Sequence, residues 1–354
     1  MTPLLRHRGE LFAVVGAAVL LLLACLLALV VGAAGLGFSD VVRTFGNWVP
    51  GVHLSHALVG VDRTVLMEIR LPRVALAALV GGALAVAGAS FQGVFRNPLV
   101  DPYLLGTASG AGLGATIVLS YSSAVAGWPI NPLPVAAFVG ALSAVALSGM
   151  LAAAVGGSAS ESGGAASSSL LLAGIAVASF LTSIQTFVQQ RRSDTLRLVY
   201  AWILGGLTTS GWGEVRLVLP YVAVSAAVLL VLARALDVLA VGDEEARSLG
   251  VSPSKVRLGV VLFASLATAA AVSVAGLIGF VGLIVPHAVR AVVGQKSRIV
   301  LIVSFLVGAA FLVAADSVAR TIISPAELPL GVITAFVGAP IFGAILIRQH
   351  RRAT

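Results

Sequence analysis

The chain has 354 residues, of which 59% are hydrophobic and only 10% charged, and its formal net charge is +8. A soluble domain of this length must cover its surface with polar groups, so the composition excludes one and points to a chain that crosses a membrane many times. The single cysteine, Cys25, excludes an intramolecular disulfide and any cysteine-based metal or redox motif.

A spanning helix needs about 20 apolar residues. Runs of that kind predict ten helices, at about 11–34, 72–95, 102–121, 133–155, 168–190, 215–235, 253–275, 278–293, 299–320 and 329–348. Arg6 and Arg8 precede the first run, which is longer than the apolar core of a signal peptide, so it reads as a retained helix. Leu71-Pro72 and Leu328-Pro329 mark helix starts by proline alone. Asp101-Pro102, Asn131-Pro132 and Ser252-Pro253 add a capping side chain. Two double-length runs break at Trp128 to Pro134 and near Gly276 to Gly279. The Ser/Gly-rich stretch from Gly156 to Ser169 reads as a flexible connection. No period-two alternation supports a β-barrel. The expected fold is an all-α polytopic membrane protein, a single transmembrane domain over 1–354.

With the N-terminus inside and ten spans, the inner segments collect Arg6, Arg8, Arg96, Arg234, Arg247, Lys255, Arg257, Arg290, Lys296, Arg298, Arg348, Arg351 and Arg352, as the positive-inside rule expects, and both termini are cytoplasmic. Because the charge is scattered at the ends of apolar runs, its partner is membrane lipid and not nucleic acid. The outer side keeps nine arginines and no lysine.

Gly106, Gly110 and Gly114 recur every four residues, which predicts a small-residue packing face on the third helix. No phosphate-cradling GxxxxGK[ST] and no HExxH or GxSxG is present, so the chain carries no sign of ATP hydrolysis or other enzymatic chemistry. His53, His56 and His287 are isolated and read as structural or surface residues. The absence of mid-helix charges argues against a stand-alone secondary transporter. Val86-Ala87-Gly88 and Val274-Ala275-Gly276 head similar stretches, as an inverted repeat would. Asp243-Glu244-Glu245-Ala246-Arg247-Ser248-Leu249-Gly250 is a short amphipathic helix, read either as a solvated linker or as an element gripped by a soluble partner. On the outer side Arg70 and Arg73 flank Pro72, and Arg320 follows Asp316 by one turn. They are interfacial anchors, an Asp316–Arg320 ion pair, or together a receptor for acidic side chains of a partner.

RLPRVALAALVGGALAVAGASFQGVFRNPLVDPYLLGTASGAGLGA (70–115), SSLLLAGIAVAS (168–179), GDEEARSLGV (242–251), VAGLIGFVGLIVPHAVR (274–290) and AELPLGVITAFVGAPIFGAIL (326–346) resemble the FecCD family. Its members are permease subunits of type II ABC importers for iron-siderophore chelates, haem and cobalamin (vitamin B12). The resemblance runs from about residue 65 to the C-terminus. It implies a homodimer in the cytoplasmic (inner) membrane with two ATP-binding cassette subunits inside and an extracytoplasmic substrate-binding protein outside, ATP and magnesium being held by the cassette subunits. It also implies binding-protein docking at Arg70, Arg73 and Arg320, ATPase coupling through Asp243, Glu244, Glu245, Ala246, Arg247 and Gly250, and a cytoplasmic gate at Asn97, Leu99, Ser167 and Ser168. Arg197, in SDTLRLVYAWILGGL, either meets an anionic group at the substrate entrance or pairs with Asp194.

Overall fold

The computed structural model describes residues 3–32, 35, 37–47, 54, 55, 58–121, 131–155, 163–207 and 211–353. His53, His56, the break at 128–130 and the stretch 156–162 lie outside the described residues. In chain order the helices are α1 (Pro3–Val30), α2 (Phe38–Gly46), α3 (Gly60–Val94), α4 (Thr107–Tyr121), α5 (Pro132–Val155), α6 (Gly163–Arg191), α7 (Leu196–Ile203), α8 (Gly213–Val241), α9 (Asp243–Ser248), α10 (Pro253–Ala275), α11 (Val281–Val293), α12 (Ser297–Thr321) and α13 (Leu330–Ala353). Among the described residues there is no strand.

Seven of these, α1, α3, α5, α6, α8, α10 and α12, contain a stretch long and apolar enough to cross a membrane. The remaining three expected spans are shorter: α4 has 15 residues, α11 has 13, and the apolar part of α13 runs Leu330–Ile345. At about 1.5 Å per residue, α11 covers about 20 Å of a hydrocarbon core about 30 Å thick. It is preceded by the non-helical stretch 276–280, which separates it from α10. Such backbone survives at membrane depth only when protein satisfies its polar groups. Here the Tyr103 hydroxyl donates to the Ile278 carbonyl (3.0 Å) and accepts from its N–H (3.2 Å), and the Gly206 N–H donates to the Ala275 carbonyl (2.9 Å).

The central helix is α3, whose apolar window is 83% buried. It is composed of residues small enough to let neighbours approach: a methyl group at Gly88 would stand 1.8 Å from the Gly282 carbonyl oxygen of α11, and one at Gly81 would stand 2.3 Å from that of Gly308 in α12. The two similar stretches noted in the sequence therefore meet at Gly88 and Gly282. By contrast α1 is peripheral, with 17% of its window buried.

Three expectations need correcting. Leu71-Pro72 does not start a helix, because α3 begins at Gly60 and passes Pro72 through a π-helical stretch, Val65–Arg70. Proline cannot donate, and its ring crowds the preceding turn, so the helix widens there. The Leu71 N–H reaches back to the Leu66 carbonyl, and the Met67 carbonyl accepts instead from the Trp212 indole N–H at 3.1 Å. Gly106 is not on the α4 face: it ends the 3-10 turn Pro102–Leu105 with φ +82°, a conformation that a Cβ opposes. Gly110 and Gly114 do form the packing face, each Cβ position lying 2.2 Å from a carbonyl oxygen of α5, at Gly140 and Ala136. Finally, α8 runs on to Val241 past Arg234 and Asp237, and the Asp237 carboxylate accepts the Ser297 N–H (2.8 Å) that opens α12.

Candidate functional site

The ion pairs of the bundle gather at its two ends. At one end α1 finishes, α3 begins and α12 runs into the 322–329 turn. The carbonyls of the last turn of α1 have no helical partners and carry the negative end of the helix dipole, so cations suit them. Arg70, buried at 5% exposure, donates to the carbonyls of Leu29 (2.6 Å) and Val30 (2.9 Å), and Arg320 donates to those of Ala28 (3.3 Å) and Val31 (3.4 Å).

Arg73 stands between two carboxylates. Asp316, at 1% exposure, accepts from its Nε (3.1 Å to each oxygen) and Nη2 (2.9 Å). Glu327 takes the other edge of the guanidinium, accepting from Nη1 and Nη2 at 2.8 Å each. The expected Asp316–Arg320 ion pair is present at 3.0 Å. Glu327 is 45% exposed, and the hydrogen bond from Arg73 holds its carboxyl below the usual carboxylate range against the burial that would raise it. The structure thus brings Arg70, Arg73 and Arg320 together, each engaged with carboxylates or main-chain carbonyls of the same subunit.

At the opposite end, α9 follows α8 directly. Ala246 is fully buried, while Glu244, Glu245, Arg247 and Gly250 are exposed. Asp243 opens α9 and faces inward, accepting from Arg257 of α10 at 2.6 and 2.7 Å and from Arg96 of the turn after α3. Burial would raise the Asp243 carboxyl, but the hydrogen bonds and charges of Arg257 and Arg96 hold it below its ordinary value. Asn97 and Leu99 are exposed in that turn, and the Asn97 side-chain oxygen accepts the Leu99 N–H at 2.9 Å. Beside it is a cavity of about 830 Å³ lined in part by Gln92, Arg96, Asn97, His287 and Arg290.

Ser168 is exposed in the first turns of α6; Ser167 is helical, and its side chain lies outside the described residues. Arg197 is exposed on α7, and among the described residues no ion pair joins it to Asp194. The structure adds Glu327, Arg96 and Arg257, which sequence reasoning had not singled out as site residues. Each is recognisable only by its partner, 254, 147 and 14 residues away.

The fold is that of a type II ABC importer permease. A solved structure described as an inward-facing conformation of a metal-chelate type ABC transporter superposes with a TM-score of 0.80 at 28% identity, over 95% of this chain and 98% of that one. The chain belongs to the FecCD transport family, whose family model matches residues 20–348. Among its relatives, the cobalamin import system permease protein BtuC of Halobacterium salinarum is 44% identical over 82% of this chain and 75% of its own length. The hemin transport system permease protein HmuU of Yersinia pestis is 36% identical over 94% and 95%.

Proposed function

We propose that this chain is the membrane-spanning subunit of an ATP-driven importer that carries a metal chelate, an iron-siderophore complex or haem, into the cytoplasm by alternating access. It acts as a homodimer in the cytoplasmic membrane with both termini inside. Two ATP-binding cassette subunits, which hold the nucleotide and its magnesium, contact α9. A substrate-binding protein docks at the opposite end around Arg70, Arg73 and Arg320, and Arg197 meets the anionic part of the cargo. Asn97, Leu99, Ser167 and Ser168 form the cytoplasmic gate. The observation that carries this reading is the placing of charged clusters at two ends, with an arginine–carboxylate cluster at one and the exposed acidic face of α9 at the other. The family and the named relatives support it.

A second reading, a cobalamin permease of the same family, is favoured by the 44% identity to the archaeal cobalamin permease. The test is uptake of ferric citrate, haemin and cyanocobalamin by proteoliposomes holding the chain with its cassette and binding-protein partners. ATP-dependent uptake of one of the three is expected, and identity of that one decides between the readings. Full-rate uptake by the chain alone, without ATP, would refute both.

A further inference from the structure

Two helices of this protein end in the same backbone turn. At the end of α9 the Gly250 N–H donates to Arg247 (3.0 Å) and the Val251 N–H to Ala246 (2.9 Å), the paired bonds of a Schellman motif, with Gly250 at φ +77°. At the end of α3 the Arg96 N–H donates to Gly93 (3.3 Å) and the Asn97 N–H to Gln92 (3.2 Å), and the left-handed position is occupied by Arg96 at φ +51°. A Cβ opposes that conformation, so glycine is the usual residue there. An arginine in its place has to be accounted for by its side chain.

That side chain reaches the first residue of α9. Arg96 Nη2 donates to Asp243, which is also held by Arg257 at the start of α10. The Asp243 side chain is 11% exposed and that of Arg257 17%, whereas Arg96 is 38% exposed, so Arg96 reaches from the water side to a carboxylate that Arg257 already holds from within. Beyond Arg96 the turn is held as a unit, with Asn97 accepting from Leu99 through its side chain and from Val100 through its carbonyl. Apolar contacts such as that of Ala246 resist compression between α9 and the bundle, whereas an ion pair also resists separation.

We propose that Arg96 is a positioning residue that ties α9 to the turn at 96–99, so that α9 can pull that turn as well as push it, with Asp243 as the shared grip and Arg257 anchoring the same grip to α10. This rests on the reading of α9 as the element that contacts the ATPase and of Asn97 and Leu99 as the gate.

The discriminating variant is Arg96→Gly, which restores the residue the backbone turn prefers and removes only the tether. The full complex is reconstituted in proteoliposomes, ATP hydrolysis and uptake are measured together, and the cargo is whichever of ferric citrate, haemin or cyanocobalamin the unaltered complex takes up. In Arg96→Gly the complex is expected to assemble and hydrolyse ATP at the original rate, with melting temperature unchanged or raised. Uptake per ATP falls by about tenfold, an ordinary size for a coupling between sites. Asp243→Asn produces the same loss, and Arg96→Lys, whose ammonium retains the charge, recovers part of it. Unaltered uptake per ATP in Arg96→Gly overturns the tether, as does loss of assembly in that variant, which would make the role structural. Absence of ATP-driven uptake by the unaltered complex overturns the importer reading itself.

Discussion

Replacing Asp316 with alanine removes a carboxylate that two arginines share. Asp316 is 1% exposed, accepts three hydrogen bonds from Arg73 and lies 3.0 Å from Arg320, so the variant leaves the Arg73 and Arg320 guanidiniums with Glu327 as their one remaining carboxylate here. Breaking a buried pair from one side strands a charge away from water and costs about 3–5 kcal/mol. Glu327→Ala is the internal comparison. Glu327 is 45% exposed and Arg73 keeps Asp316 without it, so the loss should be about 0–1 kcal/mol, as for surface pairs. Both are read from equilibrium unfolding in mixed micelles titrated with dodecyl sulfate and followed by tryptophan fluorescence. The reasoning fails if Asp316→Ala is within about 1 kcal/mol of the parent, or if Glu327→Ala costs as much as Asp316→Ala.

Gly114→Val should destabilise by about 1–3 kcal/mol or more, because its Cβ would stand 2.2 Å from the Ala136 carbonyl oxygen and backbone cannot yield. Gly16→Val, on a helix position with nothing within 4 Å, should be neutral in the same unfolding assay. The Asp101 carboxyl is pushed up to about 6 from 3.8 by burial, against the downward pull of the Tyr103 N–H. The folded protein therefore keeps this proton where the unfolded chain has lost it, and stability falls as pH rises from about 4 to about 6. Asp101→Asn, which still offers an acceptor to Tyr103, should flatten that slope in melting temperature measured across the range, and an unchanged slope would show that Asp101 is not its source. If acidic side chains of the binding protein take the outward edge of Arg73, Glu327→Gln should tighten docking, since Glu327 now occupies that edge. Surface plasmon resonance with the permease in nanodiscs measures this, and an unchanged or weaker affinity would count against docking at Arg73.

The order and approximate position of ten apolar segments were readable because hydropathy is a local property, and so was the Asp316–Arg320 pair, which needs only helical spacing. Misreadings arose where a local rule met a tertiary override. Pro72 signals a helix start, but the carbonyl freed by the π-helical stretch is taken by Trp212, 145 residues away. Gly106 shares the four-residue spacing of Gly110 and Gly114, yet the 3-10 turn set by Asp101 and Pro102 places it outside the helix. The partnership of Arg73 with Asp316 and Glu327 spans 243 and 254 residues, and no periodicity announces contacts of that reach. Arg96 left a faint trace, an arginine where a helix end ordinarily places glycine, which acquires meaning only once φ is known.

The way α1 is held decides which of its residues tolerate substitution. Arg70 and Arg320 hold it through main-chain oxygens of residues 28–31, which every amino acid possesses, and little of its side-chain surface is buried against the bundle. Apolar substitutions within residues 11–31 therefore leave these bonds intact, and the side-chain part of the attachment falls on Glu10 near the other end of the helix, which pairs with Lys296. The latch is instead constrained at the two arginines, far along the chain from the helix they secure.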